Sequence, residues 1–104
     1  MQKITDIKSK ELVHGITGHY MHGAGQTIGY VKIEKGAVLP EHSHPHEQIT
    51  LIMEGEFEMT IGGEKHLFTA GCVHVIPSNV PHSAVALTDC IAIDVFNPVR
   101  EDYR

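Results

Sequence analysis

The segment His42-Ser43-His44-Pro45-His46-Glu47-Gln48 gathers three imidazoles, a carboxylate and an amide. Histidine is the commonest metal ligand and the side chain that titrates nearest neutral pH. On an extended chain, residues two apart face the same way, so His42 and His44 can present both rings to one ion. Gln48 has the same parity, with Pro45 able to shift the register. A further ligand has to come from elsewhere. His82 is the candidate: it follows the turn-rich Pro77-Ser78-Asn79-Val80-Pro81 and opens another strand. Nitrogen and oxygen donors of this kind leave Ni, Zn, Mn, Fe and Co all open as the bound divalent metal.

A second stretch with chemistry in it is Ile91-Ala92-Ile93-Asp94-Val95-Phe96-Asn97-Pro98-Val99-Arg100. Ile91, Ile93 and Val95 share one face of a strand, and Ala92, Asp94 and Phe96 share the other. A carboxylate in the middle of such a strand needs a reason, because burying it unpaired is costly. If its face lines the interior, Asp94 points at the metal. The alternative is an Asp on a solvent face beside an exposed Phe. Pro98 ends the strand, so Arg100 sits in a loop able to fold over the mouth of a barrel. There it is suited to bidentate binding of a carboxylate, whereas an Arg near a chain end is ordinarily a surface group.

The other histidines take plainer readings. His14, His19 and His22 are read as surface groups, His46 as a neighbour of the ligands or a rim residue, and His66 and His74 as structural or exposed. Glu47 is the alternative ligand to Gln48. Cys72 and Cys90 read as small buried hydrophobes in a reducing compartment. No apolar run suits a signal peptide or a membrane span, so the expected location is cytoplasmic.

The elements that must position these groups are short strands punctuated by Gly, Pro and Asn. Gln26 to Glu34, Gln48 to Met53, Phe57 to Ile61, Glu64 to Phe68, Val73 to Ile76, Ala84 to Leu87 and Ile91 to Phe96 all read as strands. Gly62-Gly63 marks a two-residue hairpin. No segment keeps a 3.6-residue period, so the expectation is an all-β antiparallel sandwich or small barrel. The 104 residues fit a single domain, with a composition that is 41% hydrophobic and 20% charged. Thirteen acids against eight Lys and Arg leave a net charge of −5, which argues against nucleic acid as a partner.

These residues resemble the two motifs of the cupins. The first runs through Gly36, His42, His44, Gln48 and Gly55, with Gln where Glu is usual. The second runs through Gly71, Pro77 and His82, with Asn79 where Gly is usual and Ala86 in place of a final Asn. Asn tolerates the left-handed backbone better than most residues, so that departure is mild. The resemblance implies a double-stranded β-barrel (jelly roll) with the metal inside. Residues 25–98 would form the barrel, 1–24 an N-terminal arm or edge strand, and 99–104 a C-terminal tail. Three neutral imidazoles and an amide leave a divalent charge uncompensated, which favours Lewis-acid work on an anionic or oxygen-rich substrate over redox cycling.

The His-Ser-His-Pro-His-Glu-Gln run together with Asp94, Phe96, Arg100, Glu101, Asp102 and Tyr103 is similar to the KdgF-type pectin-degradation cupins. That resemblance implies a metal-dependent isomerase that turns 4,5-unsaturated uronates into the linear 5-keto-4-deoxyuronate. It makes His42, His44, Gln48 and His82 the metal ligands, Asp94 and Arg100 catalytic, and Phe96 and Arg100 substrate-binding. Phe96 would offer an apolar face to the sugar. Small size and the resemblance together imply a homodimer acting on a small carbohydrate acid, with no membrane partner. The competing readings are a cupin dioxygenase with a redox metal and a non-catalytic sugar- or acid-binding cupin.

Overall fold

The computed structural model describes all 104 residues. Ten strands account for most of the chain: β1 Lys10–Val13, β2 Ile16–His22, β3 Thr27–Ile33, β4 Val38–His42, β5 Glu47–Glu54, β6 Phe57–Ile61, β7 Glu64–Phe68, β8 Val73–Ile76, β9 His82–Ala86 and β10 Cys90–Asn97. Short 3₁₀ turns occupy Ile4–Asp6 and Glu101–Tyr103. The strands form two sheets, one in the order β1-β2-β3-β10-β5-β8 and one in the order β4-β9-β6-β7. Every pairing is antiparallel. This is the jelly roll that the motifs imply. No helix is long and apolar enough to cross a membrane.

Alternation sets the core. Phe57, Met59 and Ile61 of β6 point inward, as do Ile16 and Tyr20 of β2, Val31 and Ile33 of β3, and Ile52 of β5. Against these large groups the fold sets small ones. Ala84 and Ala86 of β9 lie opposite Met59 and Phe57, and Ala92 of β10 lies opposite Val31 and Ile52. The small partners leave space inside the barrel that a uniformly bulky core would fill. Gly62 and Gly63 both have positive φ (56° and 82°), as a tight β6–β7 hairpin requires. Asn79 is the one non-glycine residue with positive φ, at 65°.

Two parts of the fold differ from the sequence reading. Residues 1–24, expected as an arm or edge strand, supply two strands: β1 at the sheet edge and β2 inside it, between β1 and β3. β2 is internal because Ile16 and Tyr20 belong to the core. β4 is a strand with no alternation to announce it, since Pro40 sits in its middle. Proline is tolerated there because β4 is the edge of the smaller sheet. Cys90 is buried as expected, but Cys72 is only half-buried, at the margin of the core.

Candidate metal centre and cavity

Pro40 also explains how His42 reaches the interior. On β4, Leu39 pairs with Ala84 and His42 with His82, so Pro40 and Glu41 on one strand match Ser83 alone on the other. The irregularity flanks Pro40, which has no N–H to continue the ladder. The extra residue flips the parity of the strand and sets His42 directly across from His82. His44 follows in the turn into β5, and Gln48 is the first inward residue of β5. The His42 and His82 rings have centroids 4.2 Å apart, and His44 and His82 4.9 Å. One nitrogen from each of His42, His44 and His82 lies within 4.8 Å of the other two.

The hydrogen bonds fix which nitrogen faces inward. Each Nδ1 donates to a backbone carbonyl at 2.9 Å: His42 to Pro40, His44 to His46, and His82 to Val80. A carbonyl oxygen only accepts, so each Nδ1 carries the proton and each Nε2 of a neutral ring offers a lone pair. Two details bear on whether the residues fit a cation. The Nε2 of His82 is buried with no hydrogen-bond partner. The Nε2 of His44 lies 3.1 Å from Gln48 Oε1. With the proton on Nδ1, these are two acceptors facing one another, an arrangement that a shared cation resolves. The amide cannot turn to relieve it, because its Nε2 donates to Thr50 Oγ1 at 2.9 Å and to Asp94 Oδ1 at 3.3 Å. The donor set therefore fits a divalent metal, held by imidazoles that carbonyls orient from behind. Burial lowers the His82 pKa to about 4 and pushes His44 down as well, so both rings are neutral and ready to ligate at pH 7.

Asp94 faces inward, against the solvent-face alternative. It pairs across the strands with Thr50, whose hydroxyl donates to Oδ1 at 2.7 Å. Burial raises its pKa, and the hydrogen bonds from Thr50 and Gln48 and the charge of Arg100 only partly offset this. Its carboxylate thus stands one hydrogen bond behind the amide of Gln48.

Arg100 is not a surface residue. It is 6% exposed and sits 4.7 Å over the Phe96 ring and 4.0 Å from the Tyr103 ring centre. Its Nε and Nη2 both donate to the Asp102 carboxylate, at 3.0 and 2.9 Å. Its backbone N–H donates to the hydroxyl of the fully buried Thr27, and His46 Nε2 donates to the neighbouring Val99 carbonyl. Phe96 is 2% exposed and lines the cavity as the shelf on which Arg100 rests.

An interior cavity of about 50 Å³ joins these groups, with His42, Gln48, Thr50, His82, Asp94 and Arg100 among its walls. Tyr20 and Tyr103 also line it, and both face an outer groove of about 630 Å³ beside Lys8, Lys10, His22 and Arg104. Glu47 is exposed, so it is Gln48 that faces the cluster. His14 is exposed as expected, whereas His19 and His22 are half-buried and bonded to the Ile7 carbonyl and the Thr27 hydroxyl. His66 and His74 pack against each other, with ring centroids 5.1 Å apart. Sequence reasoning missed Tyr20, Thr27 and Thr50, and took Asp102 and Tyr103 only as part of the tail motif, with no role in the site. Only Tyr20 had a local signal, in the inward-facing glycines Gly18 and Gly29 beside it.

A double-stranded barrel with three convergent imidazoles defines a class. The chain belongs to the cupin family, whose Cupin domain model matches residues 29–96. Within that family it is similar to the pectin degradation protein KdgF of Dickeya dadantii, with 36% identity over 75 residues, 70% of this chain and 68% of that protein. The solved structure of KdgF from Halomonas sp. superposes with a TM-score of 0.87 at 34% identity, covering 94% of this chain and 92% of that one. An RmlC-like cupin from Shewanella frigidimarina superposes with a TM-score of 0.92 at 29% identity, covering 99% of this chain and 94% of that one.

Proposed function

We propose that this chain converts 4,5-unsaturated uronates, the products of pectin or alginate lyases, into the linear 5-keto-4-deoxyuronate. The observation that carries this reading is the inward carboxyl of Asp94, held by Thr50 and Gln48 beside the three-imidazole cluster. The similarity to KdgF proteins along nearly the whole chain supports it.

The reaction is an isomerisation. The anomeric hydroxyl loses a proton, the bond from C1 to the ring oxygen breaks, and the resulting enolate takes a proton at C4 as it becomes a ketone. No oxidant is consumed. Asp94 has the character the proton transfers require, because burial brings its pKa up toward the working range. Thr50 and Gln48 hold its Oδ1 and leave Oδ2 for the substrate. Arg100 binds the uronate carboxylate through the guanidinium edge that Asp102 leaves free, and Phe96 supports it from below. A divalent ion held by His42, His44, His82 and the amide oxygen of Gln48 supplies Lewis acidity to the sugar oxygens.

The test uses metal-loaded protein and freshly made 4,5-unsaturated galacturonate, followed by loss of ultraviolet absorbance. The expected result is a rate above the blank that falls by roughly 100-fold or more in Asp94→Asn with metal content unchanged. A wild-type rate equal to the blank rejects this substrate, and oxygen uptake or simple acid binding would then decide between a dioxygenase and a binding protein. The same reading includes a cytoplasmic location, which the two free thiols support, and a homodimer, supported by the outer face of the larger sheet.

A further inference from the structure

The Tyr20 ring lies flat against the inner face of the six-stranded sheet. Gly18, two residues earlier on β2, and Gly29, its direct partner on β3, permit this, because a Cβ at either position would overlap the ring. Tyr103 covers it from the other side, with ring centroids 4.7 Å apart. A ring clamped in this way holds its hydroxyl in one place. That hydroxyl is buried, in a residue 5% exposed, and no group of the protein hydrogen-bonds to it. A buried hydroxyl without a partner costs about 1–3 kcal/mol. Phenylalanine would pack the same ring without that cost, so packing alone does not account for the oxygen. Asp94 lines the same cavity, two strands away: both residues pair with Gly29, from opposite sides. Burial first and the charge of Asp94 second keep the phenol protonated, so it is a donor throughout the working pH range.

We propose that the Tyr20 hydroxyl orients a ligand that reaches from the outer groove into this cavity, donating a hydrogen bond to a hydroxyl oxygen of a bound sugar acid and so presenting it to Asp94. The identity of the ligand rests on the uronate reading above, whereas the role of the hydroxyl rests on its own geometry. Gly18 and Gly29 belong to the same device as positioning residues, since they let the ring lie down.

The test is Tyr20→Phe in metal-loaded protein, with three readouts. Thermal unfolding without ligand is expected to be unchanged or slightly raised. A fall beyond about 4 °C, the effect of losing one internal bond in a domain of this size, would mean the hydroxyl is bonded within the protein and overturns the proposal. Calorimetric binding of saturated galacturonate, which cannot turn over, is expected to weaken about tenfold. Equal affinity in the two proteins, or no binding by the wild type, overturns the proposal. Turnover of 4,5-unsaturated galacturonate separates the two ideas. An active wild type matched by Tyr20→Phe in kcat/KM sinks the Tyr20 role and leaves the linearisation reading standing. An inactive wild type whose galacturonate binding still depends on Tyr20 does the reverse.

Discussion

His42, His44 and His82 each donate Nδ1–H to a carbonyl from their own strand or turn, so the protein aims three lone pairs before any ion arrives. Holding neutral imidazoles in the interior has a pH signature. The His82 pKa falls from 6.5 unfolded to about 4 folded, and His44 shifts the same way. The unfolded chain therefore binds these protons more readily. Their contribution is fully present above about pH 6.5 and is lost as pH falls toward 4, a span that for His82 amounts to roughly 3 kcal/mol. Asp94 has the opposite sign: its raised folded pKa favours the folded state at low pH, and that benefit is lost as pH rises through it. Urea unfolding of chelated protein between pH 7.5 and 4.5 should show stability falling with acid, and falling more steeply in Asp94→Asn. A flat profile would mean that water reaches His82.

Strand register is what turns these residues into a site. Thr50 faces Asp94 across β5 and β10, Gln48 faces Phe96 one step along, and Thr27 faces Phe96 from β3. Gly29→Ala tests how the Tyr20 ring packs on this sheet, since its Cβ would strike that ring while Tyr103 blocks retreat. The expected cost is about 1–3 kcal/mol of overpacking, read as a lower midpoint in urea, with partial rescue by Tyr20→Leu. Much of this element pattern was legible in the sequence. The alternation in Phe57 to Ile61, the Gly62-Gly63 turn and the split faces of β10 each carry a period that only a strand explains. The four cluster residues were legible because their spacing is local to two motifs. β4 was not, because Pro40 interrupts its period, and the bulge that turns His42 inward arises from pairing with a distant strand. Nor were Thr27 and Thr50, whose roles come from partners tens of residues away. Taken alone Arg100 read as a surface group, and the tail motif was needed to place it in the cavity, because burial by Phe96, Tyr103 and Thr27 leaves no local trace.

On the whole molecule, the outer face of the larger sheet carries apolar rows that run across five strands. Met21, Ile28, Val95, Ile49 and Val75 form one, and Tyr30, Ile93, Leu51 and Val73 extend another from His19. Ile28, Ile49, Val73 and Val75 are 39–61% exposed. By strand spacing the two rows cover roughly 300 Å² of sheet, about the size of the largest apolar patch on a typical monomer. An apolar face of this kind can pair with its own copy about a two-fold axis, which supports the proposed dimer. Light scattering should give twice the 11.5 kDa chain mass. Ile49→Lys with Val95→Lys should return it to the chain mass without moving the His cluster, which lies inside the barrel, on the other side of the larger sheet. A wild-type mass of one chain would rule the dimer out.

The His cluster also straddles both layers. His42 and His82 belong to β4 and β9 of the smaller sheet, while Gln48 belongs to β5 of the larger. An ion held there would act as a rivet through the sandwich, and its binding energy would be added to the melting temperature. At a free concentration 100 times its dissociation constant, an ion raises stability by about 2.7 kcal/mol. The order of thermal shifts across Ni, Zn, Mn, Fe and Co is then an affinity series that needs no substrate. Chelation should return every member to one common midpoint, and His82→Ala should abolish the spread. The fold itself thereby becomes the indicator dye for its own metal.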